Sequence, residues 1–346
     1  MTVLSRSSAA NSDTGTMSTA LEVQTVDYHT AGEPFRIVVG GAPDLPGACV
    51  AERRLWAATH LDHVRRLLIH EPRGHADMYG GFPCGGNDAE ADLGVVFFHN
   101  AGYSTACGHG TIALATWALD SGRLDPTSLA DGVLRIDVPS GRVLAIPHYV
   151  NGYVGAISFR NVPAKVSARG IDLAILGRKL SVDIAFGGAY YVSIAASQVG
   201  LTVEPEYLQR FIAWGREIKT AVNAVWQSEQ PAYAKEGIYG VIFWEDLGPP
   251  FAQRNITVFA DGEVDRSPCG SGSSARLALL FRDGRIGIGD VFTHQSIIGT
   301  QFMCSVLGSD AKGDVSTEIT GSASLTGRHT FVLQSNDELA DGFLLR

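Results

Sequence analysis

Apolar and polar positions alternate along residues 21–29 and again along 34–41, and each stretch reads as a β-strand. The second strand ends at a glycine turn. The period then changes. Between residues 51 and 72, Leu55, Leu61, Val64, Leu67 and Leu68 recur at helical spacing, which predicts one amphipathic helix closed by Pro72. Residues 91–100 carry the mostly apolar pattern of a buried strand. Residues 108–122 predict a helix that stops at Gly122, and residues 133–163 a run of short strands with glycine turns. A similar order follows. Paired strands are predicted at 181–196, a long amphipathic helix at 204–226, strands at 240–246 and 255–265, and a helix at 270–284. Short strands close the chain at 291–298, 299–308, 316–324 and 330–334. Each half runs strands, helix, strands, helix, strands. That is an α+β organisation with mixed or antiparallel sheets.

An internal repeat supports two halves. Cys107-Gly108-His109-Gly110-Thr111-Ile112-Ala113 aligns with Cys269-Gly270-Ser271-Gly272-Ser273-Ser274-Ala275, and five of the seven positions agree when Thr and Ser are grouped. Both copies follow a strand and open an apolar helix. The expectation is two pseudo-symmetric α/β lobes with the active site between them. Residues 21–180 would form the first lobe, with the C-terminal strands returning to it, and residues 181–346 the second. Residues 1–20 are rich in Ser, Thr, Ala and Asn and read as a disordered tail.

Composition narrows the function. The chain has 346 residues, 45% hydrophobic and 18% charged, which is a globular composition. The net charge of -9 comes with no basic patch, so nucleic acid is not an expected partner. No apolar run approaches the ~18 residues of a membrane span, and the first residues lack the apolar core of a secretory signal. A cytoplasmic location follows as the default. Cys49, Cys84, Cys107, Cys269 and Cys304 are odd in number and widely spaced, which predicts free thiols.

The chemistry concentrates in the repeat. Each Cys stands just before a helix, whose first turn carries unpaired N–H groups and roughly half a positive charge. Such a setting lowers a thiol pKa and lets the glycine turn hold a carboxylate. Two such ends facing one another place a thiol on either side of a bound Cα. The reaction class this suits is proton abstraction next to a carboxylate, with backbone N–H groups stabilising the developing charge. That scheme needs no cofactor and no metal.

Blander readings account for the rest. Cys49, Cys84 and Cys304 read as small core residues. The two glycine turns also match a dinucleotide fingerprint, with Asp290 beyond the second. Yet a strand should lead directly into that motif, and Pro268 and Cys269 intervene. His60 and His63 lie on a solvated helix face with no third metal ligand in view. Glu71 and Arg73 read as a buried pair, while His75 or Asp77 could face a ligand. Asp265 either caps the turn before Cys269 or accepts a hydrogen bond from a substrate ammonium.

Four segments together resemble the proline racemase superfamily: HTAGEPFRIV (29–38), EPRGHADMYGG (71–81), HNAGYSTACGHGTIAL (99–114) and DRSPCGSGSSARLAL (265–279). The resemblance runs from about residue 24 to about residue 330. It implies a diaminopimelate-epimerase-like fold and a cofactor-independent enzyme for proline or a hydroxyproline, usually a homodimer. It also implies Cys107 and Cys269 as the acid/base pair. Gly108 with His109 and Gly270 with Ser271 would form the carboxylate-binding turns, and Asp265 would hold the ring nitrogen. The segments around Cys107 and Asp265 are most similar to the dehydratases of trans-3-hydroxy-L-proline. Those typically carry Thr where this chain has Cys269. The resemblance thus implies dehydration to Δ1-pyrroline-2-carboxylate, the alternative being 4-hydroxyproline 2-epimerisation or proline racemisation by two thiols. A dehydratase needs an acid at the departing hydroxyl, for which His75 and His109 are candidates.

Overall fold

The computed structural model describes residues 21–226, 237–248 and 251–345. The tail at residues 1–20 lies outside them. Among the described residues the α-helices are α1 (Val50–His60), α2 (Asp62–Ile69), α3 (Gly108–Asp120), α4 (Leu208–Val225) and α5 (Gly270–Arg282).

Two of these helices are central. Every residue of α3 from Gly108 to Leu119 is buried, and so is every residue of α5 from Gly270 to Leu280. A helix without a polar face has to be enclosed on all sides. The sheets provide the enclosure. Strands Leu93–His99 and Leu134–Val138 pair in parallel, with α3 as the crossover between them. Ala252–Phe259 and Phe292–Ser296 pair in parallel around α5. Parallel neighbours require such a crossover, so the helix is topologically committed to one face of its sheet.

The other helices cover the outer faces. Val50, Ala57, Val64, Leu67 and Leu68 of α1 and α2 pack with Phe82, Val96 and Phe98. Phe211, Trp214, Ile218 and Val222 of α4 pack with Phe243, Ile256 and Val258. The single helix predicted over 51–72 is in fact two. The chain leaves helical geometry at Leu61 (φ -116°, ψ 12°), and that side chain turns into the core. Asp62 opens the new helix and pairs with Arg65 at 2.7 Å and Arg66 at 3.2 Å, which favours a fresh N-terminus there. Leu55 is 61% exposed and does not belong to the apolar stripe.

The two halves exchange strands. Tyr153–Arg160 pairs antiparallel with Val315–Gly321 and joins the halves in the middle. Lys165–Ile175 pairs with Arg178–Phe186, and Ala323–Leu333 returns to pair with Leu21–Thr30. Strand Lys165–Ile175 has no alternating pattern of its own. Gly170 stands at φ 62° inside it and the pairing register shifts nearby, which breaks the period of two.

The starts of α3 and α5 meet back to back. A Cβ on Gly108 would sit 2.5 Å from the Gly270 Cα and 2.8 Å from the Phe159 ring, and one on Gly270 would sit 2.7 Å from the Gly108 Cα. All three distances lie far inside van der Waals contact, and two of them are to opposing backbone. Gly108→Ala is therefore expected to lower unfolding free energy by about 1–3 kcal/mol, as overpacking does. Urea titration of the variant checks this. An unchanged midpoint would show that the halves move apart freely.

Candidate active site

Cys107 is the N-cap of α3. Its backbone is extended (φ -153°, ψ 102°), and its Sγ accepts the Gly110 N–H at 3.2 Å. The His109 ring nitrogens lie 3.4 and 3.6 Å from the same sulfur. Cys269 is the N-cap of α5 but sits at φ 64°, ψ 102°, with no side-chain cap bond. Few residues with a Cβ adopt a positive φ, and such a conformation persists only where its surroundings impose it. The Ser267 hydroxyl helps impose it by accepting the Cys269 N–H at 3.1 Å. The sulfur faces the Tyr191 hydroxyl at 3.8 Å.

Both thiols line one small cavity with Tyr79, Gly108, His109, Tyr191, Tyr239, Phe259, Asp265 and Ser271. Gly270 lies against Gly108 where the two turns meet. Asp265 uses Oδ1 to accept the Ser267 N–H at 2.8 Å and the Ser267 hydroxyl at 2.7 Å. Its Oδ2 lies 3.7 Å from His109 Nδ1.

Burial reverses the expected thiol electrostatics. Enclosure pushes the Cys107 thiol well above its ordinary value, opposed chiefly by the Gly110 N–H. It pushes the Cys269 thiol up as well, and the Asp265 carboxylate adds to the push on both. The helix starts counteract burial and do not overcome it. The two sulfurs differ in their partners: Cys107 has the Gly110 N–H and the His109 ring, Cys269 the Tyr191 hydroxyl.

Other candidates fall elsewhere. His75 is exposed, with its Nδ1 2.8 Å from the Ala76 carbonyl oxygen, and it does not line the cavity. Asp77 stands behind the site, accepting the Val264 N–H at 3.2 Å and lying 3.4 Å from Arg266. Glu71 and Arg73 do not pair: Arg73 bonds Asp337, and Glu71 accepts the Leu345 N–H at 3.4 Å. Cys304 is a core residue, but Cys49 and Cys84 are only half-buried, at the start of α1 and beside Arg53 respectively. His60 stacks on Trp56 and His63 is exposed. Among the described residues, no cluster of three or more His, Cys, Asp or Glu residues could hold a metal ion. No helix among them is long and apolar enough to cross a membrane.

Two features escaped the sequence. One is a set of tyrosine hydroxyls. Tyr79 bonds Ser104 and lies 3.0 Å from the Tyr239 hydroxyl, while Tyr191 bonds Ser271 at 2.7 Å. Burial raises all three tyrosines, so they remain hydroxyl donors. The other is Glu33, fully buried and accepting the Arg266 N–H at 2.7 Å beside Asp265. Glu33 lies inside the conspicuous 29–38 segment, but only tertiary structure links it to residue 266.

The pocket brings together two thiols, a carboxylate, an imidazole and three phenols, all groups that can exchange protons. The chain belongs to the proline racemase family, whose model matches residues 25–344. It is 41% identical to a trans-3-hydroxy-L-proline dehydratase of Bacillus thuringiensis over 93% of this chain and 97% of that protein. It is 40% identical to a 3-hydroxyproline 2-epimerase of Burkholderia multivorans over 95% of this chain and all of that protein. A hydroxyproline epimerase from Agrobacterium vitis, solved with trans-4-hydroxy-L-proline bound, superposes with a TM-score of 0.85. It is 31% identical and covers 94% of this chain and 96% of its own. The fold extends to a phenazine biosynthesis protein of Bacillus anthracis, at TM-score 0.56 and 12% identity, covering 89% of this chain and 98% of its own.

Proposed function

We propose that this protein dehydrates trans-3-hydroxy-L-proline to Δ1-pyrroline-2-carboxylate. The observation that carries the reading is the difference between the hydrogen-bond partners of the two thiols in one cavity. Cys107 has an amide N–H on its sulfur and an imidazole beside it. Cys269 has the Tyr191 phenol at 3.8 Å instead. An elimination needs one base at Cα, whereas inversion of Cα needs two groups that exchange roles. The 41% identity to a named dehydratase supports the same choice.

In this scheme the substrate carboxylate lies over the paired starts of α3 and α5, at the turns of Gly108, His109, Gly270 and Ser271 with their backbone N–H groups. The ring nitrogen is held by Asp265 Oδ2 with His109 beside it. Cys107 thiolate removes the Cα proton, and the N–H groups stabilise the charge that spreads into the carboxylate. The 3-hydroxyl leaves as water. The enamine released from the site then tautomerises to the cyclic imine. The five free cysteines fit a reducing, cytoplasmic compartment.

Proton NMR in D2O tests the reading. With trans-3-hydroxy-L-proline, the ring signals are expected to disappear as those of Δ1-pyrroline-2-carboxylate grow. Exchange at Cα without loss of the hydroxyl would refute dehydration. Inversion of trans-4-hydroxy-L-proline in a parallel tube would instead establish a 2-epimerase, which the presence of both thiols in the cavity supports.

A further inference from the structure

We propose that Tyr79 is the acid that protonates the departing 3-hydroxyl. The inference rests on the dehydratase reading and on the shape of the substrate. In trans-3-hydroxy-L-proline the hydroxyl is trans to the carboxylate, so it lies on the same ring face as the Cα hydrogen. The base that removes this hydrogen therefore approaches from the face that carries the leaving group. The acid must stand on the Cys107 side of the cavity. Cys269, across the ring, is on the wrong face.

The tyrosines are divided between these faces. Tyr191 belongs to Cys269, bonding Ser271 and facing the Cys269 sulfur. Tyr79 belongs to Cys107. Its ring meets His109 edge-on at 5.0 Å and stacks near Phe35 at 6.4 Å. Phe35 in turn abuts the Gly110 turn that caps Cys107. The Tyr79 hydroxyl is tied to Ser104, three residues before Cys107, and to Tyr239. The ring is buried and lines the cavity, so the hydroxyl is fixed before substrate arrives. Of the two sequence candidates, His75 is exposed and outside the cavity, and His109 is engaged between the Cys107 sulfur and Asp265.

The protons balance. Cys107 thiolate takes the Cα proton, and the Cα–H electron pair becomes the Cα=C3 bond. The C3–O bond breaks, and its oxygen takes the Tyr79 proton to leave as water. The tyrosinate then recovers a proton from the Cys107 thiol, which restores both groups. Nothing is oxidised or reduced.

A leaving group that needs no proton separates this role from packing. Tyr79→Phe is expected to slow dehydration of trans-3-hydroxy-L-proline by about 10²-fold or more. Chloride release from trans-3-chloro-L-proline, which also starts with Cα proton removal, is expected to change less than threefold, as roughly expected for a step without acid catalysis. Ser104→Ala keeps the ring and is expected to show the same selectivity at about tenfold, one hydrogen bond's worth. Unchanged dehydration in Tyr79→Phe would overturn the assignment and return the task to the Cys107 thiol itself. Equal losses on both substrates, with no selective loss in Ser104→Ala, would overturn it as well. A wild-type enzyme that releases chloride but leaves trans-3-hydroxy-L-proline untouched would defeat the dehydratase reading. The variant outcomes bear on Tyr79 alone.

Discussion

Cys107→Ser is expected to lower dehydration of trans-3-hydroxy-L-proline by about 10³-fold, within the range for losing a general base. A serine hydroxyl is a far weaker acid than a thiol, so almost none of it is ionised near neutral pH. The Gly110 N–H and the start of α3 cannot make up that difference, since they do not fully offset burial even for the thiol. The fold should survive. Serine is among the preferred N-cap residues and can accept the Gly110 N–H in place of sulfur. Steady-state turnover with a matched thermal melt checks the expectation. Near-normal turnover would mean that the Cα proton leaves by another route.

The second large effect separates elimination from inversion. Cys269→Ser is expected to keep dehydration within about tenfold of wild type, because the elimination uses the other face. If the protein instead inverts Cα, the same change removes one of two obligatory acid/base groups, and turnover falls by about 10²–10⁴-fold. Serine is the better replacement here than threonine. Cys269 stands at φ 64°, where a β-branched residue would add strain of its own. NMR of both variant and wild type on the 3-hydroxy and 4-hydroxy substrates reads the outcome. Loss of dehydration in Cys269→Ser would contradict the one-base scheme.

The sequence carried much of this. The doubled Cys-Gly-x-Gly turn marked both helix starts, because helix initiation is a local matter of a cap residue and an apolar run. For the same reason α3 and α5 begin at Gly108 and Gly270 as read. The cavity's phenols did not show. Tyr79, Tyr191 and Tyr239 are scattered over the chain, and nothing local separates them from core aromatics. The thiol electrostatics were misread because a helix start is visible in sequence and enclosure is not. The break at Leu61 was hidden because Leu61 keeps helical spacing while its backbone does not. Strand Lys165–Ile175 was missed where a bulge interrupts its alternation.

The return of Ala323–Leu333 to Leu21–Thr30 also sets the timing of folding on the ribosome. Leu21 faces Leu333 across this ladder. One edge of the first strand stays open while the remainder of the protein is made, for about 15–60 s at ordinary synthesis rates. An open strand edge of that length is a template for pairing with other chains. The nascent first half therefore spends most of its synthesis sticky, and the last strand to emerge is the one that seals it.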